Sequence, residues 1–263
     1  MKKFVNATRL KLEQGELALG MGIRQARTVD IANIAKTCDY DWLFIDMEHN
    51  SMSMDTAAQI SSAALSVGIT PMIRVPGHES FHASRLLDCG AQGIVVPHVN
   101  NAEEARRAVE NCRFPPYGKR SLPGGLPQVS FQTMPAPELI AHINQETLVV
   151  VMIETVDGLR NLEEIAAVPG IDVILVGASD LSAELGITGQ LGHPDIQNAI
   201  QRVCQACHDN GIVPGIGGVY DEPTLRRYVE YGARFILSGS DLAFLMHGAR
   251  LRSSMLREIK LSS

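Results

Sequence analysis

The chain has 263 residues, 45% of them hydrophobic and 20% charged, and a formal net charge of −6. This is ordinary globular composition, and the acidic balance argues against nucleic acid, for which a basic patch is expected. No apolar run approaches the roughly 20 residues that span a bilayer, and the basic start, Met1-Lys2-Lys3, leads into no apolar stretch or cleavage site, so a cytoplasmic protein without membrane partners is expected.

β-rich runs alternate with helical ones. Strands are expected over 17–23, 42–48, 70–75, 93–99, 147–154, 172–177, 212–216 and 235–239. Helices are expected over 28–37, 55–67, 80–89, 102–112, 156–168, 196–210, 223–231 and 243–260, several with Ser, Asp or Asn start signals. Eight strands alternating with eight helices predict an α/β fold, one (β/α)8 TIM barrel domain over residues 1–263. The nearly continuous apolar strands suit a parallel sheet buried on both faces. A doubly wound open sheet is the competitor, weakened because no G-x-G-x-x-G follows the first strand. Residues 113–137, rich in Pro and Gly, read as one long irregular segment with a role in assembly or at a neighbouring subunit's mouth. The five cysteines are odd in number and scattered, which speaks against a disulfide framework, and the lone Cys204-x-x-Cys207 falls inside a helix and reads as structural.

In a parallel barrel the chemistry sits at the C-terminal strand ends. Those ends supply Asp46, Glu48 and His49 from the second strand, Arg74 from the third, His98 from the fourth, Glu154 from the fifth, and Ser179 and Asp180 from the sixth. A buried strand-end acid is costly unless a positive group meets it, and two on consecutive strands, Glu154 and Asp180, make a site for a hard divalent cation. Each residue also has a plainer reading. Asp180 and Glu154 can cap helices, Arg74 can be a structural partner of an acid, His49 can be a satisfied loop histidine, and His98 reads as structural or peripheral. The six lysines all lie off the candidate strands, so imine chemistry, which needs a lysine inside the pocket, is not expected.

In this order the motifs resemble the HpcH/HpaI family of metal-dependent class II 2-keto-acid (pyruvate) aldolases. The resemblance runs from about Leu17 to Ala249. It rests on Asp41-Trp-Leu-Phe-Ile-Asp-Met-Glu-His49, the Arg74 strand, Leu86-Leu-Asp-Cys-Gly-Ala91, Pro115-Pro-Tyr-Gly-Lys-Arg120, Ile153-Glu-Thr155 and Gly177-Ala-Ser-Asp-Leu-Ser182. It implies that Glu154 and Asp180 ligate Mg2+, Mn2+ or Co2+, with Glu48, and Asp46 beside it, in support of the metal site. It implies that the backbone N–H groups of Ser179 and Asp180 cradle a 2-oxo acid's carboxylate, that Arg74 stabilises the enolate oxygen, and that His49 is the acid–base residue with Asp88 raising its basicity. No organic cofactor is implied. The implied reaction is reversible retro-aldol cleavage of 4-hydroxy-2-oxo acids to pyruvate, or an analogue such as hydroxypyruvate, and an aldehyde. The implied assembly is a homohexamer that exchanges its last helix between subunits.

Met152 departs from the resemblance, standing where glutamine is common two residues before the metal glutamate. Gly215-Ile-Gly-Gly218 likewise opens the acceptor side. Two other readings stay open: oxaloacetate decarboxylation or a related lyase step on the same enolate, and a phosphate-binding isomerase or synthase barrel using Gly215–Gly218 and Ser238-Gly-Ser240.

Overall fold

The computed structural model describes residues 5–260; residues 1–4, which include most of the basic start, and 261–263 lie outside them. Eight parallel strands form a closed barrel, β1 (Ala18–Ile23), β2 (Trp42–Asp46), β3 (Thr70–Arg74), β4 (Gly93–Val96), β5 (Leu148–Ile153), β6 (Val173–Gly177), β7 (Val213–Gly217) and β8 (Phe235–Ser240), with β8 paired back onto β1. Helices alternate with the strands, as the sequence leads one to expect of a (β/α)8 barrel.

The two-residue period of a strand sorts its side chains between two cores. Along β2, Trp42 and Phe44 fill the barrel interior, while Leu43 and Ile45 pack beneath the helices. Along β5, Leu148, Val150 and Met152 point inward, and Val149, Val151 and Ile153 outward. Both faces are buried, hence the apolar continuity of these strands. Trp42 stacks on Phe235 with ring centroids 3.9 Å apart, and Gly20 has no side chain because the indole occupies that space. The same alternation carried one step further aims Asp46, Arg74 and Glu154 inward at the C-terminal rim. Register sets Asp46 directly beside Arg74.

Two helices escape the sequence reading. Ala7–Glu13, capped by Asn6, sends Leu12 into the interior cluster and closes the N-terminal end of the barrel. Arg9 and Arg113 meet Asp172 there at 2.6 and 2.7 Å. Ala136–Glu146, which overlaps only the end of the segment expected to be irregular and otherwise covers residues given no element, is helical; prolines 135 and 137 sit at its start, where a missing N–H costs nothing. The helix expected over 156–168 is broken at Asn161, whose side chain donates to Asn100 O. Cys204 and Cys207 are buried in helix Pro194–Asn210, and burial pushes the Cys204 thiol up to about 11 and Cys207 higher still, so both are packing residues.

The C-terminal helix, Asp241–Arg257, buries none of its residues in this chain and leaves Leu245, Leu251, Met255 and Leu256 exposed. Its first residue is firmly held: the Asp241 carboxylate accepts the backbone N–H groups of Arg24, Gln25 and Ala26 at 2.6–2.9 Å, tying the end of β8 to the loop after β1. Among the described residues no helix is long and apolar enough to cross a membrane.

Candidate active site

A line of charged side chains crosses the C-terminal mouth from β1 to β5. Asp46, fully buried, takes two hydrogen bonds from Arg74, Nε to Oδ1 at 3.0 Å and Nη2 to Oδ2 at 2.7 Å. Burial alone would raise the Asp46 pKa. The hydrogen bonds and charge of Arg74, with the backbone N–H groups of Glu48 and His49, outweigh it and hold this carboxyl below the usual range. Arg74 is itself only 4% exposed and lies 5.0 Å over the Phe44 ring. Its Nη1 reaches Glu48 Oε2 at 2.8 Å, an ion pair too bent to count as a hydrogen bond. One buried acid and one partly buried acid thus hold one guanidinium.

Glu48 continues the line to His98, whose Nε2 stands 3.2 Å from Glu48 Oε1 and whose Nδ1 stands 3.4 Å from Glu154 Oε1. His98 has a left-handed backbone, φ 51°, which turns its N–H onto Glu154 Oε1 at 2.7 Å. Glu154 Oε2 is buried with no hydrogen-bond partner. It presses against Gly177, where a Cβ would stand 2.5 Å away. Burial raises the Glu154 pKa above the ordinary carboxylate range. The His98 contacts oppose this, the nearby charge of Asp180 adds to it, and Arg74 opposes it from further off. A buried carboxylate with one free oxygen and a second acid beside it fits a cation. Among the described residues no three His, Cys, Asp or Glu side chains gather closely enough to hold a metal by themselves, so Glu154 and Asp180 would form an open site with positions left for substrate and water.

Ser179 and Asp180 lie in the first turn of the short helix Ala178–Glu184 and are exposed to the mouth. The loop after β7 closes on them: Gly218, at φ +89°, lies where a Cβ would be 2.7 Å from Ser179 Oγ. That contact accounts for this glycine.

His49 is at the same rim, half exposed, with Nε2 3.7 Å from Glu48 Oε2. Asp88 is not brought to it. Helix Ser80–Asp88 leaves β3 and ends just before β4, so Asp88 lies at the opposite end of the barrel, where it pairs with Arg120 at 2.7 Å. Within one chain the expected His49–Asp88 couple is not formed. Two residues gain in importance. His98, read from sequence as peripheral, bridges Glu48 and Glu154; its place after a buried strand, beyond Pro97, was the available signal. Arg24, one residue past β1, places its Nε 3.4 Å from Asp46 Oδ2 and was not singled out at all.

A closed parallel barrel with paired acids and a held guanidinium at its C-terminal mouth has the arrangement of a barrel enzyme's active site. The profile of the HpcH/HpaI aldolase/citrate lyase family matches residues 24–248, and the chain belongs to that family. It is 37% identical to a 4-hydroxy-4-methyl-2-oxoglutarate aldolase from Hapsidospora irregularis, over 95% of this chain and 94% of the relative. It is 35% identical to a 4-hydroxy-2-oxo-heptane-1,7-dioate aldolase from Klebsiella pneumoniae, over 91% of this chain and 89% of the relative. The structure of an HpcH/HpaI aldolase from Desulfitobacterium hafniense superposes with a TM-score of 0.91 at 29% identity, covering 96% of this chain and 97% of that one. Aldolases make and break carbon–carbon bonds, and by this kinship the chain is a carbon–carbon lyase.

Proposed function

We propose that this barrel is a divalent-metal-dependent class II aldolase that reversibly cleaves 4-hydroxy-2-oxo acids to pyruvate, or a close analogue such as hydroxypyruvate, and an aldehyde. The observation that carries the reading is the orphaned, buried Oε2 of Glu154 with Asp180 beside it. Glu154 and Asp180 would hold Mg2+, Mn2+ or Co2+, which when bound acts as a Lewis acid on the keto oxygen and is worth several kcal/mol. Glu48 and Asp46 support that site through Arg74 and His98.

The chain's own residues divide the remaining work. Arg74, held by Asp46 and Glu48, keeps a positive charge where the keto oxygen becomes negative as the bond between C3 and C4 breaks, and little reorganisation is needed at that moment. Ser179 and Asp180 offer backbone N–H groups to the substrate carboxylate. His49 removes the 4-hydroxyl proton. Histidine as a residue type titrates near neutrality, and general base catalysis contributes about 10²–10⁴-fold. A partner for His49 would come from Asp88 of a second copy, since no single chain joins the two. That agrees with a homo-oligomer, a hexamer in our reading, in which the exposed face of Asp241–Arg257 is exchanged between neighbours. A phosphate-binding barrel is less favoured: the mouth is lined by Asp46, Glu48, Glu154 and Asp180, and packing on Ser179 explains Gly218.

The test is pyruvate release from 4-hydroxy-2-oxo acids with and without chelator. Activity should vanish on chelation and return with Mn2+, Mg2+ or Co2+. Full turnover in excess chelator would overturn the metal reading.

A further inference from the structure

Arg24 is a strongly basic side chain at the mouth that the mechanism above does not use; Arg27, further along the same loop, is spent on the carbonyls of Arg24 and Ala26 and on Asn50 and Ser51. Its backbone is fixed on both sides: its N–H donates to Asp241 Oδ1 at 2.9 Å, and its carbonyl accepts from Arg27 Nη1 at 3.0 Å. Its side chain is 44% exposed and meets one acid, Asp46, by a single 3.4 Å contact from Nε. Asp46 does not need that contact, because Arg74 already holds it with two shorter, buried hydrogen bonds. Where two cations share one carboxylate, the closer bidentate one takes most of the charge. Arg24 therefore keeps an anchored but uncommitted guanidinium over the barrel.

Its place in the barrel says what it would meet. In an eight-stranded closed barrel β1 stands opposite β5, and Arg24 follows β1 as Glu154 follows β5. A substrate anchored by its 2-oxo acid end at Glu154 and Asp180 would reach Arg24 by extending its other half across the mouth toward β1. The neighbouring ends of β1 and β8 contribute only small residues there, Gly22, Ser238, Gly239 and Ser240.

The relatives named above act on dicarboxylic substrates; we propose that in this chain Arg24 is the residue that binds a carboxylate on the leaving, carbonyl half of the substrate and so sets the preference for such substrates over those that release a neutral aldehyde. This rests on the aldolase reading. Guanidinium is suited to the task because its planar fork pairs with carboxylate through two hydrogen bonds.

The experiment compares two substrates that differ only in the distal carboxylate, 4-hydroxy-2-oxo-heptane-1,7-dioate and 4-hydroxy-2-oxoheptanoate, with the full-length enzyme in Mn2+. The quantity read is the ratio of their kcat/KM values. The wild type should favour the dioate by about tenfold to a hundredfold, as expected for one charge-assisted bidentate pair at a partly exposed site. Arg24→Ala and Arg24→Gln should bring the ratio close to one, chiefly through KM for the dioate. Arg24→Lys should keep an intermediate ratio, and Arg24→Glu should invert it. Because the ratio cancels any general loss from disturbing Asp46, an unchanged ratio in Arg24→Ala overturns the proposal even if both rates fall. A wild-type ratio near one, with both substrates cleaved, also overturns it and leaves the aldolase reading standing. Cleavage of neither substrate overturns both.

Discussion

Replacing Arg74 by alanine removes the one cation that two carboxylates share. Asp46 is fully buried and Glu48 partly so, and Arg74 supplies two hydrogen bonds to the first and a 2.8 Å ion pair to the second. Breaking a buried pair from one side costs about 3–5 kcal/mol, because the partner's charge stays desolvated. At about 2–4 °C per kcal/mol for a chain near this size, Tm should fall by roughly 6–20 °C. The pH dependence follows from the Asp46 pKa, which the fold depresses. In the wild type the stability from this pairing is fully present above the unfolded carboxylate value, about 3.9, and is lost as pH falls through the lower folded value. In Arg74→Ala the buried Asp46 carboxyl keeps only the longer Arg24 contact and relieves its penalty by taking up a proton on acidification. The Tm gap between variant and wild type should therefore be widest near neutrality and narrow toward pH 4. Scanning calorimetry of both proteins across that range measures it. A gap of a degree or two at neutral pH, or one that widens on acidification, would refute the picture of one guanidinium neutralising two acids. Arg74→Lys keeps the charge but not the fork and should fall between the two.

Changing His49 to Ala should slow retro-aldol cleavage about 10²–10⁴-fold while metal affinity, measured by calorimetry, stays close to wild type. Oxaloacetate decarboxylation, which needs no proton taken from a 4-hydroxyl, should survive in the same variant; equal loss of both reactions would remove His49 from the role of base. Gly177→Ala places a Cβ 2.5 Å from Glu154 Oε2 and should weaken Mn2+ binding by about tenfold or more, read by titration calorimetry. Unaltered Mn2+ affinity in that variant would mean that this oxygen is not a ligand.

The barrel was legible because its information is local. Hydrophobic runs bounded by turn residues mark the strands, and each acid, arginine or histidine that ends such a run is carried to one rim by topology alone. Asp46, Arg74 and Glu154 could be placed this way because each extends the inward-facing series of its own strand. Three features were hidden. The plug Ala7–Glu13 is defined by Leu12 reaching the interior and by Arg9 finding Asp172, contacts across more than half the chain. The His98 contacts depend on a left-handed backbone at a non-glycine residue, which sequence does not signal. Asp88 carries a family motif, but which end of the barrel it occupies follows from where its helix stops, and its partner in one chain is Arg120.

The charges at the mouth tie the two proposals together. Among the side chains that face one another across the mouth, the acids Asp46, Glu48, Glu154 and Asp180 outnumber the guanidiniums of Arg24 and Arg74. Burial is the main reason the Glu154 pKa is raised, and the nearby charge of Asp180 adds to it. On the proposed reading a divalent cation would offset the excess of acids and lower the electrostatic cost of admitting an anion. A 2-oxo acid would bring one negative charge to the Glu154 end, and a second carboxylate in the same molecule would find Arg74 already held by two acids and Arg24 the less committed guanidinium. Metal loading should therefore tighten the enzyme's hold on a dicarboxylate more than on its monocarboxylate analogue, and removing the Arg24 charge should abolish that difference without abolishing the metal requirement.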